Sequence, residues 1–488
     1  MSRRGVASIW SSPYLLLALF FAASAAVRPL LPTAETRYLS VAWEMFLTRD
    51  FLVPTLNFAP YYHKPPLLFW LFDAAWAVFG VHRVVAVGVM FLIASACVWL
   101  TTRLARMMFP DTEGIAERVP WLMVGSVVFA IYASLIYIDL LQTVFVLTFM
   151  IALLAFANGG ARRHALLAGL SIGLGILAKG PVMLIHVIWP ILLYPWWRNP
   201  QCTLPVRAFY RGCVPLALAA LVPVLAWLGP VMLLADQDFL YNLVWKQAAE
   251  RISGAMEGAH PRPFYFYLIY LPLLFVPWIF SPHLYRQKGW ELIWSRERAE
   301  DADFRMLRLL ALWFLGALVS FSLISGKQPH YLVPELPLVV IAFGYFMSTV
   351  SLRPIRNAAI AMLALFVVGQ EIAAAAIHGR FDMMPLVQFV RSHRQAEWVF
   401  AGQYQGQINF LARLDKPLEI IPVEKAEEWL RAHPNGYLLE ETKQPVEAIP
   451  AVLFSHAGEK GAYVVRGGAT AEQTHRHAVL FPSHWRPI

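Results

Sequence analysis

The sequence predicts a mainly α-helical polytopic membrane protein that ends in a small α/β domain. Composition is the first reason: 58% of the 488 residues are hydrophobic and 15% charged, with a mean hydropathy of +0.54, which departs from a soluble domain in both respects. The second is that apolar runs near the length needed to cross a bilayer recur along most of the chain. The third is a change after Ile377, where charges become frequent and short apolar runs separated by turn residues replace the long ones.

The amino end, MSRRG followed by SPYLLLALFFAASAA, has the basic and apolar regions of a signal peptide. Its apolar run continues through Val27, Leu30 and Leu31, so it reads as a first span. Further spans are expected near 84–102, 121–138, 140–157, 165–180, 182–196, 213–234, 264–281, 307–325, 331–350 and 357–377, which with 12–31 makes about eleven. Arg3, Arg4, Arg103, Arg106, Arg118, Arg162, Arg163, Arg198, Arg207, Arg211, Arg286, Lys288, Arg296, Arg298, Arg353 and Arg356 all fall on one side of these spans. The positive-inside rule makes that side the cytoplasm, with the N-terminus there. The net charge of +9 is thus a topology signal spread over short loops and points to no nucleic acid. Cys97, Cys202 and Cys213 lie in or beside apolar spans and have neither disulfide nor CxxC metal-site spacing.

The outward side then holds loop 32–83, the Lys179 turn, loop 236–263, the Lys327 turn and the carboxyl tail. In the first loop Thr33 is a candidate N-cap, and Leu39, Ala42, Trp43 and Phe46 recur at helical spacing, so an interfacial amphipathic helix is expected over 34–47. Pro65 and Pro66 open a second helix through Trp70 and Trp76. In the tail, EWVFAG, PLEIIPV, GYLLEE, PAVLFSH and GAYVVRG read as strands and EKAEEWLRAH as a helix. The expected domains are 1–377 in the membrane and 378–488 outside it.

Ionisable groups are costly near hydrocarbon, so Glu35, Arg37, His63 and Lys64 are candidates for function. TAETRYLSVAWEM and YYHKPPLLFW in this loop resemble the first outward loop of GT-C membrane glycosyltransferases, in the lipid A aminoarabinose transferase and protein O-mannosyltransferase group. The resemblance extends to Asp139 after YI, Lys179 in LAKGP, His260 and Arg262 in HPRPFYFYL, and Lys327, His330 and Tyr331 in SGKQPHYLVPELP.

That resemblance implies a GT-C fold in a bacterial inner membrane, a polyprenyl-phosphate-linked sugar as donor, and an acceptor at the periplasmic face. Lipid A or another envelope glycan leads as acceptor, followed by a protein hydroxyl; a non-catalytic binding protein or transporter on the same scaffold is the alternative class. It implies carboxylate roles for Glu35 and Asp139, donor-phosphate contacts for Lys64, Lys179, Arg37 and Lys327, and substrate contacts for Tyr62, His63, His260, Arg262, His330 and Tyr331. The family usually carries an Asp-Glu pair where this chain has Ala34-Glu35. Glu35 either takes the carboxylate role or serves as an acid in the first turn of a helix. Asp139 has the same two readings, and the cations either hold phosphate or snorkel to lipid headgroups. No ligand spacing establishes a metal, although a divalent cation could share the phosphate task.

Overall fold

The computed structural model describes residues 12–234, 241–242, 261–286, 301–458 and 461–470. These form two compact units that do not follow chain order: one of residues 1–26, 51–54 and 61–370, the other of 27–50, 55–60 and 371–488.

The first unit is helical. Its helices begin with α1 (Pro13–Val27), whose last residue passes into the second unit, and continue after α2, which belongs to that unit, with α3 (Leu67–Phe79), α4 (Arg83–Met108), α5 (Ile115–Val124), α6 (Val127–Ala133), α7 (Asp139–Gly159), α8 (Arg162–Lys179), α9 (Met183–Leu192), α10 (Tyr194–Trp197) and α11 (Val206–Leu234). Beyond these lie α12 (Phe266–Phe275), α13 (Pro282–Arg286), α14 (Ala302–Leu323), a 3₁₀ helix Pro329–Glu335, α15 (Leu336–Phe346) and α16 (Leu352–Ala376).

Each expected span coincides with a helical segment, but length separates them. α4, α7, α11, α14 and α16 are long and apolar enough to cross a membrane, and α5 with α6 forms one more candidate bent by 60°. α1, α3, α9 and α12 are apolar but short. Prolines account for part of this: Pro120, Pro190 and Pro272 lie inside α5, α9 and α12, where each removes a backbone donor and crowds the preceding turn.

α8 packs tightly on α11 through glycine. A Cβ on Gly169 would stand 2.1 Å from the Leu216 carbonyl oxygen, and one on Gly173 would stand 2.4 Å from that of Ala220. This small-xxx-small spacing lets the two backbones approach. α8 ends at Lys179 because Gly180, at φ +93°, turns the chain and Pro181 follows.

The second unit holds α2 (Glu35–Thr48), the hairpin β1 (Thr55–Leu56) and β2 (Ala59–Pro60), and the tail: α17 (Met384–Ser392), β3 (Trp398–Ala401), α18 (Asn409–Ala412), β4 (Glu419–Ile421), α19 (Ala426–Ala432), β5 (Tyr437–Thr442), β6 (Val452–Ala457) and β7 (Ala462–Gly467). The sheet order is β4-β3-β5-β7-β6, with β3 parallel to β4 and β5 and the other pairs antiparallel. Leu386, Val387, Leu439 and Val465 fill one core, and Leu438 packs with Trp429 on a second.

α2 is built into this unit by hydrogen bonds from one face. Ser40 Oγ donates to the Gly406 carbonyl and accepts from Phe410 N–H, Trp43 Nε1 donates to the Leu414 carbonyl, and Arg37 Nη1 donates to Gln405 Oε1. Glu44, fully buried, accepts from Asn57 N–H and Asn409 Nδ2 on one oxygen and from Thr55 Oγ1 and Phe58 N–H on the other. Thr33 is not the expected N-cap: it sits at φ +58° and its own N–H donates to Thr36 Oγ1, and α2 begins at Ala34 without a side-chain cap.

Candidate functional site

In the second unit, Glu35 stands in the first turn of α2 with no solvent exposure. Arg28 grips it in a fork: Nη2 donates to Oε1 at 2.9 Å, and Nη1 pairs with Oε2, which also accepts Leu31 N–H at 2.8 Å. A planar guanidinium matches a carboxylate in this two-point manner. Both carboxylate oxygens are therefore engaged by Arg28. Arg37 projects from the same turn and is half-buried on Gln405.

The first unit gathers four of the expected residues. Asp139 opens α7 and Lys179 closes α8, and the Lys179 ammonium donates to Asp139 Oδ1 at 2.5 Å, both side chains being almost fully buried. Lys179 Nζ also lies 4.9 Å from the ring centre of Tyr331. His330 packs on Tyr331 and on Tyr137, with ring centres 4.9 and 5.6 Å apart. The 3₁₀ helix that carries His330 and Tyr331 packs on α7, which explains how residues so distant in sequence meet. Asp139 Oδ2 is buried without a hydrogen-bond partner among the described residues, so the carboxylate retains acceptor capacity.

The remaining residues lie elsewhere. Lys327 is buried and donates to the carbonyls of Arg262, at 2.9 Å, and Ile324. Burial lowers its pKa below that of an ordinary lysine. Arg262 is exposed, its guanidinium 4.6 Å from the Phe266 ring. Lys64 is half-buried in the bend before α3. His63 is exposed beside the rings of Tyr61 and Tyr62, and Tyr62 packs on the cluster of Leu177, Trp227 and Val231. His260 lies outside the described residues. Among the described residues, no three His, Cys, Asp or Glu side chains are grouped to hold a metal ion.

Sequence reasoning missed Arg28 and Glu44, and also His186 and Glu335, which face each other at 2.7 Å with no exposure. The signal for the latter two was present: His186 interrupts MLIHVIWP and Glu335 interrupts YLVPELP, each an ionisable group in an apolar run.

Residues 63–227 match the dolichyl-phosphate-mannose-protein mannosyltransferase family. An undecaprenyl phosphate-alpha-4-amino-4-deoxy-L-arabinose arabinosyl transferase of Pseudomonas fluorescens is 29% identical over 342 residues, covering 69% of this chain and 57% of the relative. A protein of that name from Pseudomonas aeruginosa is 29% identical over 382 residues, covering 75% and 65%. The chain thus spans about three-fifths of the length of these curated relatives. Among solved structures, apo ArnT from Cupriavidus metallidurans superposes with a TM-score of 0.73 at 16% identity, over 96% of this chain and 99% of that one. ArnT bound to undecaprenyl phosphate gives 0.70.

The fold is therefore that of a GT-C membrane glycosyltransferase, and the protein is a multi-pass membrane protein. In sequence it is similar to proteins named as aminoarabinose arabinosyl transferases.

Proposed function

We propose that this protein transfers a sugar from a polyprenyl-phosphate carrier to an envelope acceptor, foremost lipid A, by single displacement with inversion. The observation that carries this reading is the buried Asp139–Lys179 pair beside Tyr331 and His330, which joins a cation, a carboxylate with a spare oxygen and two aromatic rings. The names of its relatives support a polyprenyl-phosphate-linked sugar as the substrate of that cluster. Lys179, with Lys64 from the proline-bracketed bend, stabilises charge growing on the departing phosphate. Tyr331 and His330 supply faces for a sugar ring. Asp139 orients the acceptor through its second oxygen. Glu35 serves as a further carboxylate once Arg28 releases an oxygen; a phosphate acceptor, which needs no strong base, suits a carboxylate so fully engaged. Roles for Arg37, Lys327, Tyr62, His63, His260 and Arg262 remain part of the proposal as donor or substrate contacts.

The same proposal puts the N-terminus in the cytoplasm and the carboxyl-terminal sheet at the periplasmic face, on the arginine distribution. Cysteine labelling of intact cells at a residue of the tail domain reports its side directly. The activity is tested by mass spectrometry of lipid A from cells with the protein, without it, and with Asp139→Ala or Glu35→Ala. Loss of a glycosyl-sized mass in the deletion and with Asp139→Ala is expected, and identical spectra throughout overturn the reading. The match to a protein mannosyltransferase family favours a protein hydroxyl as second acceptor class, detected by the same comparison on envelope proteins.

A further inference from the structure

Two buried glutamates of this chain are held in opposite ways. Glu44 has four donors for its two oxygens. Glu335, equally buried, has His186 Nδ1 at 2.7 Å, while its Oε2 and the other imidazole nitrogen, His186 Nε2, have no hydrogen-bond partner among the described residues. A carboxylate with one neutral donor does not stay ionised away from water, because a buried charge demands a compensating charge or several hydrogen bonds. His186 and Glu335 together therefore hold one proton more than a neutral imidazole beside a carboxylate, and as a pair carry no net charge.

The place of this pair gives it a role. His186 lies on α9, one turn beyond the Lys179–Gly180–Pro181 bend, and Glu335 ends the 3₁₀ helix that presents Tyr331 and His330. The ring of Phe321 touches both His186 and Tyr331, at 5.0 and 5.6 Å between centres, and Trp313 Nε1 donates to the His186 carbonyl. The charged groups nearby are Lys179 from α8, within electrostatic range of His186, and Asp139 from α7, which already balances that lysine. An ionised Glu335 without its proton partner would leave this neighbourhood with a surplus negative charge in a low-dielectric interior, where a phosphate would be repelled.

We propose that His186 and Glu335 are a positioning pair that keeps the Lys179 site receptive to phosphate: the shared proton cancels Glu335, and the hydrogen bond holds the Tyr331 helix against α9. This inference rests on the reading of Lys179 as a phosphate-binding cation. It is tested by the binding of undecaprenyl phosphate, and of uncharged undecaprenol, to the purified full chain and its variants. His186→Leu, which takes away Glu335's hydrogen-bond partner and frees the Tyr331 helix from α9, is expected to weaken undecaprenyl phosphate at least about tenfold and to change undecaprenol little. The double variant His186→Gln with Glu335→Gln, which keeps an uncharged hydrogen-bonding pair, is expected to recover most of that affinity. Equal losses for phosphate and alcohol, or a double variant no better than the single, overturn the proposal in favour of packing alone. If the unaltered protein binds undecaprenyl phosphate no better than undecaprenol, the reading of Lys179 has failed. Thermal unfolding then judges the pair by itself, with His186→Leu expected to lower the midpoint and His186→Gln with Glu335→Gln to restore it; no restoration refutes the uncharged hydrogen-bonded pair.

Discussion

Arg28 and Glu35 illustrate how one side chain fixes the meaning of another. Glu35 has no contact with water, and its charge is balanced by the Arg28 fork and one backbone N–H. Replacing Arg28 with Ala strands a buried carboxylate and is expected to cost about 3 kcal/mol of stability, measurable as a lower unfolding midpoint. Arg28→Lys is expected to recover only part of it, since an ammonium cannot bind both oxygens in a planar fork. A second residue sets a pH dependence. Burial pulls His456 below the ordinary histidine pKa, against the opposing influence of Asp382. Its charged form is thus favoured by unfolding, and the stability of its unit is expected to fall as pH drops through and below the unfolded histidine value of about 6.5. His456→Gln should flatten that limb in unfolding curves followed across the acidic range, and an unchanged limb would assign it to other groups.

At the scale of elements, the glycine seam between α8 and α11 links packing to chemistry. Gly173→Val would drive a side chain into the Ala220 carbonyl and part the helices, moving the end of α8 that carries Lys179. The expected result is both a lower unfolding midpoint and a donor KM raised several-fold; a normal KM would show that the bend at Gly180 insulates Lys179 from α8. The helices were the most legible part of the sequence, because apolar runs and prolines act locally. Asp139, Lys179, His330 and Tyr331 were legible individually from motifs, whereas their meeting depends on α7 packing against the 3₁₀ helix, which no local pattern encodes. Thr33 was misread because a left-handed backbone there replaced capping, and Glu44 was not singled out because the groups that hold it, from Asn57 and Asn409, lie outside its helix.

For the whole molecule, the tail was legible as an α/β domain but its partnership with α2 was not, since the hydrogen bonds join residues as far apart as Trp43 and Leu414. Deleting residues 378–488 is expected to do more than remove an appendage. It withdraws the acceptors and donors that meet Arg37, Ser40, Trp43 and Glu44, so protease cleavage within 35–60 should become rapid in the truncated protein; continued protection would show that α2 keeps its place without the tail. The same interleaving has a consequence at the ribosome. Ser40 emerges early, yet its partner Phe410 lies 370 residues later. At roughly 5 to 20 residues per second, α2 waits on the order of 20 to 75 s for the segment that completes it. Throughout that interval Arg37, Ser40 and Trp43 lack the tail groups that they meet in the finished unit, and the last stretch translated is what ends the vulnerable period of one of the first.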